Sequence, residues 1–142
     1  MNKGLTGDDV LAVRVYLKLT QVQLSVAVGM VGVTTINRWE NGHTSPSPAW
    51  ATLVETYFVS ELGKNWRTKV RTPRFELFKK LKTYIDKNDL RLQLNPASTV
   101  AELAVQYEDA KLVAAEHRKL KKKKELAALK RAEKRKAKAG KS

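Results

Sequence analysis

The stretch TQVQLSVAVGMVGVTTINRWENGHTSPSP, residues 20–48, constrains the fold more than any other part of the chain. Thr20 suits a helix N-cap, with Gln23 three residues later as its capping-box partner. Leu24, Ala27 and Val28 make one apolar face, and Gly29 ends the run. A second short helix is predicted over 33–41. Gly42 fits the left-handed position past its C-terminus, and Pro46 and Pro48 resist continuation. Two short helices joined by a Gly-containing turn form an αα unit, which decides how the preceding segment is read. LAVRVYLKL, residues 11–19, alternates like a half-buried strand. Yet Val10, Val13 and Leu17 also fall at helical spacing, with Asp8 or Asp9 as a cap. A helix completes the core of the αα unit better than a lone strand, so residues 9–18 are read as helix.

The rest of the chain continues in helical periods. PAWATLVETYFVSEL puts Trp50, Leu53, Val54, Tyr57, Phe58 and Leu62 on one stripe and predicts a helix over 48–62. Thr72-Pro73 starts another, since Pro is favoured at the first helical position. Phe75, Phe78, Leu81 and Ile85 extend that helix to about 86. KNDLRLQLNPAS is turn-rich, with LRLQL as a brief extended segment at most. Thr99 and Glu102 form a capping box for a last helix whose seam is Val100, Leu103, Tyr107, Ala110 and Ala114. His117 and Lys121 spoil that seam. Beyond it the helix is polar nearly all round, so exposure, fraying or disorder is expected there. The fold expected is all-α: a four- or five-helix domain over 5–65, a basic helical extension over 66–97, and a long C-terminal helix with a Lys-rich tail over 98–142. No internal repeat at a solenoid period is visible.

Charge narrows the partners. The 142 residues suffice for one modest core plus extensions, and they carry a formal net charge of +14. Residues 118–142 hold 13 basic and 2 acidic side chains, whereas residues 1–117 hold 15 and 12. KNWRTKVRTPR, residues 64–74, adds five basic residues and no acid. Such a balance favours polyanions. Cysteine is absent, which removes disulfides and thiolate metal sites. His43 and His117 lie far apart without acids at ligand-like spacing, so neither a metal nor a cofactor is expected. No nucleophile–base–orienter set, phosphate-cradling Gly loop or paired-carboxylate arrangement is recognisable, so an enzyme is not expected. No apolar run approaches the roughly 20 residues needed to span a bilayer. The first 20 residues also lack the ordered parts of a secretory leader. A cytoplasmic, nucleoid-associated protein without membrane partners is the expectation.

Thr20-Gln21-x-x-Leu24, Gly29, Thr35-Ile36-x-Arg38-Trp39-Glu40-Asn41-Gly42 and Pro46-Ser47-Pro48 together resemble the Cro/phage-repressor helix-turn-helix family (the Xre family) over about residues 9–62. The resemblance implies that the second helix of the pair lies in the DNA major groove while its opposite face plugs into the core. On a helix Ile36 shares a face with Trp39 and Glu40. Thr34, Asn37 and Arg38 are left as base readers, Arg suiting guanine and Asn suiting adenine. The family further implies an ion pair between Arg14 and Glu40, tying the first helix to the third. It also implies a phosphate contact at Gln21, where the helix N-terminus favours an anion. His43 and Thr44 extend the phosphate set, as do Lys64, Arg67, Lys69 and Arg71 of the basic extension. One departure stands out: Gln21 to Ile36 is one residue longer than the usual spacing, most simply within GMVGV, residues 29–33. Val33 then occupies the start of the recognition helix, where it can touch a thymine methyl but cannot hydrogen-bond a base edge.

Blander readings stand beside these. Asn37 and Arg38 also fit a solvated helix face, and Arg14–Glu40 an ordinary surface pair. Trp66 suits packing or base stacking. The Lys-rich tail fits a solvated run that raises nonspecific polyanion affinity. The function expected is a sequence-specific, DNA-binding transcriptional regulator that contacts double-stranded DNA. The seam at 100–114 either forms a homodimer or packs back on helix 73–86. The alternative is an accessory subunit of an RNA-containing or other nucleoprotein assembly, held mainly by its tail.

Overall fold

The computed structural model describes residues 4–140; Lys141 and Ser142, at the end of the expected tail, lie outside the described residues. Seven helices occur among them: α1 (Gly7–Tyr16), α2 (Gln21–Ala27), α3 (Val33–Glu40), α4 (Pro48–Leu62), α5 (Trp66–Lys69), α6 (Pro73–Lys87) and α7 (Val100–Ala139). No strand occurs among the described residues. LRLQL is therefore not a β segment; Leu90 is buried while Leu92 and Leu94 pack partly against the core. The fold is all-α.

Local hydrogen bonds set most helix starts. Thr20 and Gln23, and likewise Thr99 and Glu102, form complete capping boxes. Ser47 and Thr72 accept from Trp50 and Phe75 amides, each followed by a proline in the first turn. The start of α1 corrects the expected 9–18. Thr6 is the cap, accepting from the Asp9 amide at 3.1 Å, while the Asp9 carboxylate accepts from the Thr6 amide at 3.1 Å. Asp9 thus closes a capping box instead of opening the helix. At the other end Lys18 takes a left-handed conformation, φ 59°, and stops α1 at Tyr16.

Packing explains why α1 reads ambiguously. Every residue from Val10 to Val15 is buried, because α3 and α6 both lie against it. A helix covered on several sides loses its one-sided stripe. Other faces are narrower than their periodicity suggests: Ala27 is exposed, and Leu53 and Val100 are about half exposed.

The core runs through the expected junctions at 65/66 and 97/98. Buried apolar side chains form one cluster from Leu5 to Ala114. Trp66 meets Phe58 edge-on at 5.1 Å between ring centroids and is only 2% exposed, so it is a packing residue. Phe75, Phe78, Leu81 and Ile85 line the buried face of α6. Leu103, Ala110 and Ala114 of α7 are buried, α7 packs on α6, and Tyr107 lies 5.4 Å from Tyr84. The α7 seam therefore folds back on α6, which uses the face that a dimer through 100–114 would need. From Glu116 to Gly140 every residue is exposed, yet α7 remains helical to Ala139. No single helix among the described residues is long and apolar enough to cross a membrane.

Candidate nucleic-acid interface

Backbone conformation shapes the α2–α3 turn. Gly29 and Met30 are both left-handed, at φ 101° and 68°. The Met30 amide bonds the Ser25 carbonyl at 2.7 Å. The buried Ser25 hydroxyl bonds the Val31 carbonyl, and Val31 plugs into the core at 2% exposure. The Val31 anchor fixes where α3 begins. Gly32 is its N-cap, without a side-chain cap, and Val33 stands partly exposed at its first position.

Along α3 the two faces separate. Ile36, Trp39 and Glu40 are buried, whereas Thr34, Asn37 and Arg38 are exposed. The helix ends in a Schellman arrangement around Gly42, whose φ is 76°. The Gly42 amide bonds the Trp39 carbonyl at 3.1 Å, and the His43 amide bonds the Arg38 carbonyl at 2.9 Å. His43 and Thr44 follow immediately, both exposed.

Behind α3 lies a polar lock. Arg14 grips Glu40 with two parallel bonds, Nε to Oε2 at 2.7 Å and Nη2 to Oε1 at 2.8 Å. Its Nη1 donates to the Leu19 carbonyl at 3.1 Å, so one guanidinium joins α1, the α1–α2 turn and α3. The Glu40 side chain is fully buried and that of Arg14 is 8% exposed. This is a desolvated, bidentate pair, unlike an exposed surface contact. Gln21 Nε2 donates to Glu40 Oε1 at 3.1 Å and to Asn37 Oδ1 at 3.3 Å. Asn41 Nδ2 also donates to Asn37 Oδ1, at 3.2 Å. Both acceptor sites of the Asn37 amide are thus engaged, while its Nδ2 is left as the outward donor.

A second close contact was not legible in the sequence. A Cβ placed on Gly7 would lie 1.6 Å from the Trp39 carbonyl oxygen. The first turn of α1 therefore lies directly against the α3 backbone. The only signal was a glycine between the Thr6 cap and two acids, where no helix rule asks for one.

The basic extension is tied to the fold itself. Arg71 bonds Asp8 and Asp9, both at 2.7 Å, and Lys79 reaches Asp8 at 2.9 Å. Arg67 approaches Asp9 and Glu55 and sits 5.0 Å from the Trp66 ring centroid. Lys69 donates to the Leu62 carbonyl at 2.8 Å. Arg74 donates to the carbonyls of Val15, Pro96 and Ser98, joining α1 to the loop before α7. Burial pushes the Asp8 carboxyl up, but hydrogen bonds and charge from Lys79 and Arg71 outweigh it and hold Asp8 below the ordinary carboxylate value. Burial likewise favours the neutral form of Arg71, and the two aspartates more than reverse that. Arg67, Lys69 and Arg71 thus have internal partners, although Lys69 and Arg71 are exposed, as is Lys64.

Other cations adjoin the end of α3. Lys82 of α6 donates to Asn41 Oδ1 at 2.5 Å and pairs with Asp86 at 3.3 Å. His43, Lys82 and Lys87 line a cleft of about 670 Å³ between the α3 terminus and α6. Among the described residues no group of acids and histidines is arranged to hold a metal ion.

A helix-turn-helix family model matches residues 11–54, from within α1 to midway along α4. No curated protein and no solved structure matches the chain. The matched segment covers about a third of the protein and contains the whole α2–turn–α3 unit. That unit is a helix-turn-helix of the DNA-binding kind.

Proposed function

We propose that the protein is a sequence-specific transcriptional regulator of the phage-repressor type, acting on double-stranded DNA in the cytoplasm or nucleoid. Its recognition helix is α3. Thr34, Asn37 and Arg38 read base edges, and Gln21, His43, Thr44 and Lys64 hold phosphates. The observation that carries the reading is the division of α3. Its inner face is held by Ile36, Trp39 and the Arg14–Glu40 pair, and its outer face presents short polar side chains, one arginine and, at its start, Val33. A fixed inner face sets the depth and rotation at which a helix can enter a groove roughly 12 Å wide.

The side-chain contacts refine the residue roles. Asn37 offers a donor toward the groove, and a bidentate adenine contact requires Gln21 or Asn41 to release its oxygen. Arg67, Lys69 and Arg71 are weak phosphate ligands in this reading, because each already has an internal partner. Lys87, beside His43, takes that part instead, since Lys82 is itself held by Asn41 and Asp86. Val33 adds apolar contact to a thymine methyl and no hydrogen bond.

The test is selection of genomic DNA fragments by the full-length protein near physiological salt. Recovery of one enriched motif is expected, with Arg38→Ala relaxing a single base position by about 1–3 kcal/mol. Indiscriminate retention, unchanged by Arg38→Ala, would overturn the regulator reading in favour of an accessory nucleoprotein subunit.

A further inference from the structure

The exposed second half of α7 is not a uniformly charged rod. It is anchored at one end, because Leu103, Ala110 and Ala114 are buried and Tyr107 contacts Tyr84 of α6. Beyond Ala114 the helix continues for roughly 37 Å at 1.5 Å per residue, with every residue from Glu116 exposed. At 100° per residue, Arg118, Lys119, Lys121 and Lys122 fall on other sides of the helix, but the basic side chains of 123–138 sort by face. Lys123, Lys130, Lys134 and Lys138 form one row, and Lys124, Arg131 and Arg135 form a second beside it. These seven fall within about 140° of the circumference, and the only other residue of 123–138 in that sector is Ala127. Within 123–138 the remainder of the circumference carries Glu125, Leu126, Leu129, Glu133 and alanines, with Lys136 as its single cation.

A run that merely solvates the chain has no reason to gather its cations on one side. Gathering them is unfavourable for the free helix, because Lys130, Lys134 and Lys138 are spaced at i, i+4 and repel, as do Arg131 and Arg135. A polyanion lying along that side removes the repulsion. It also explains why both glutamates of the segment lie at the back.

We propose that this face of α7, from Lys123 to Lys138, is a second DNA-binding element that lies along the phosphates of duplex flanking the site held by α3. The choice of DNA as the polyanion rests on the reading of α3 given above. The stripe is roughly 22 Å long; each row steps by seven residues, about 10.5 Å, and then by four, about 6 Å. Because α7 is packed on α6, and α6 reaches α3 through Lys82 and Asn41, the arm extends from the reading domain instead of hanging as a free tail. It lengthens the footprint and adds affinity without adding a base preference.

Two full-length variants of equal charge test this. Lys130→Ala/Lys134→Ala/Lys138→Ala removes three cations from the stripe, and Lys121→Ala/Lys122→Ala/Lys136→Ala removes three from outside it. Affinity for motif-bearing duplex, with and without flanking DNA, is measured across salt concentrations, with helicity checked by circular dichroism. The stripe variant is expected to lose about 2.7 units of log–log salt slope on the flanked duplex. The other variant is expected to lose much less, and neither should change the preferred motif. Equal losses from both variants would reduce the arm to bulk charge and overturn the proposal. A difference seen with single-stranded RNA and absent with duplex would overturn it as well. Arg38→Ala, run alongside, reports on α3 independently: a relaxed motif with equal arm losses sinks only the arm proposal.

Discussion

Glu40 shows how one residue ties the stability of the fold to the placement of α3. Its side chain is fully buried, holds Arg14 through two bonds and also accepts from Gln21. Removing one partner leaves the other charge buried without compensation, which costs about 3–5 kcal/mol. Glu40→Ala is therefore expected to lower the unfolding free energy by that amount in denaturant titrations. Arg14→Met/Glu40→Leu, which leaves no orphan charge, is expected to recover most of it while losing DNA affinity. A cost below about 1 kcal/mol for Glu40→Ala would mean that the pair behaves like an exposed one. The Arg14–Glu40 partnership was legible only through family resemblance, because 26 residues separate the two and no local rule joins them. The same lock explains why Asn37 and Gln21, read separately in the sequence, act on one another in the fold.

At the scale of elements, the informative contact is α1 on α3. Gly7 permits an approach that any side chain would block, with the Trp39 carbonyl oxygen 1.6 Å from where a Cβ would be. Gly7→Ala is expected to destabilise by about 1–3 kcal/mol, the range for overpacking, although alanine is the better helix former. A thermal melt decides the sign. A midpoint raised by the substitution would show that α1 shifts freely on α3, and α1 would then not help to hold α3 in place. The long helix α7 divides differently. Its first half has an apolar seam and a partner, and its second half has neither, so the helix is continuous while its roles are not. Periodicity announced that change at His117, since the seam stops there. The sorting of cations onto one face lies in the same residue order, but it becomes meaningful only once the segment is known to be a continuous helix.

Over the whole molecule, ion pairs that bind distant segments confer pH dependence. Asp8 belongs to α1, Arg71 to the α5–α6 link and Lys79 to α6. Its folded-state pKa is held below the ordinary value, so the folded chain retains the carboxylate where the unfolded chain takes up a proton. The stabilisation is complete above the unfolded value of about 3.9, declines below it, and is gone once the pH falls through the folded value. Asp8→Asn is thus expected to lower stability at pH 7 and to flatten the acid limb of a stability–pH profile. A profile that keeps the wild-type steepness below pH 4 would assign the acid sensitivity to other carboxylates.

The sequence alone determined the all-α class, most helix starts, the end of α3 and the inner face that α3 buries. Those features depend on hydrogen bonds and periodicities spanning three or four residues, as at Thr20 with Gln23, Thr99 with Glu102, and Gly42 after Asn41. Only the tertiary structure decided where the cations of 64–74 are used, which face covers the α7 seam, and why α1 is apolar on so many sides. Arg71 meets Asp8 across 63 residues, and one core runs from Leu5 to Ala114. Charge counts cannot distinguish a cation facing solvent from one facing an internal acid. That distinction arises when helices meet, because the energy of a charged or apolar group depends on what the fold brings against it.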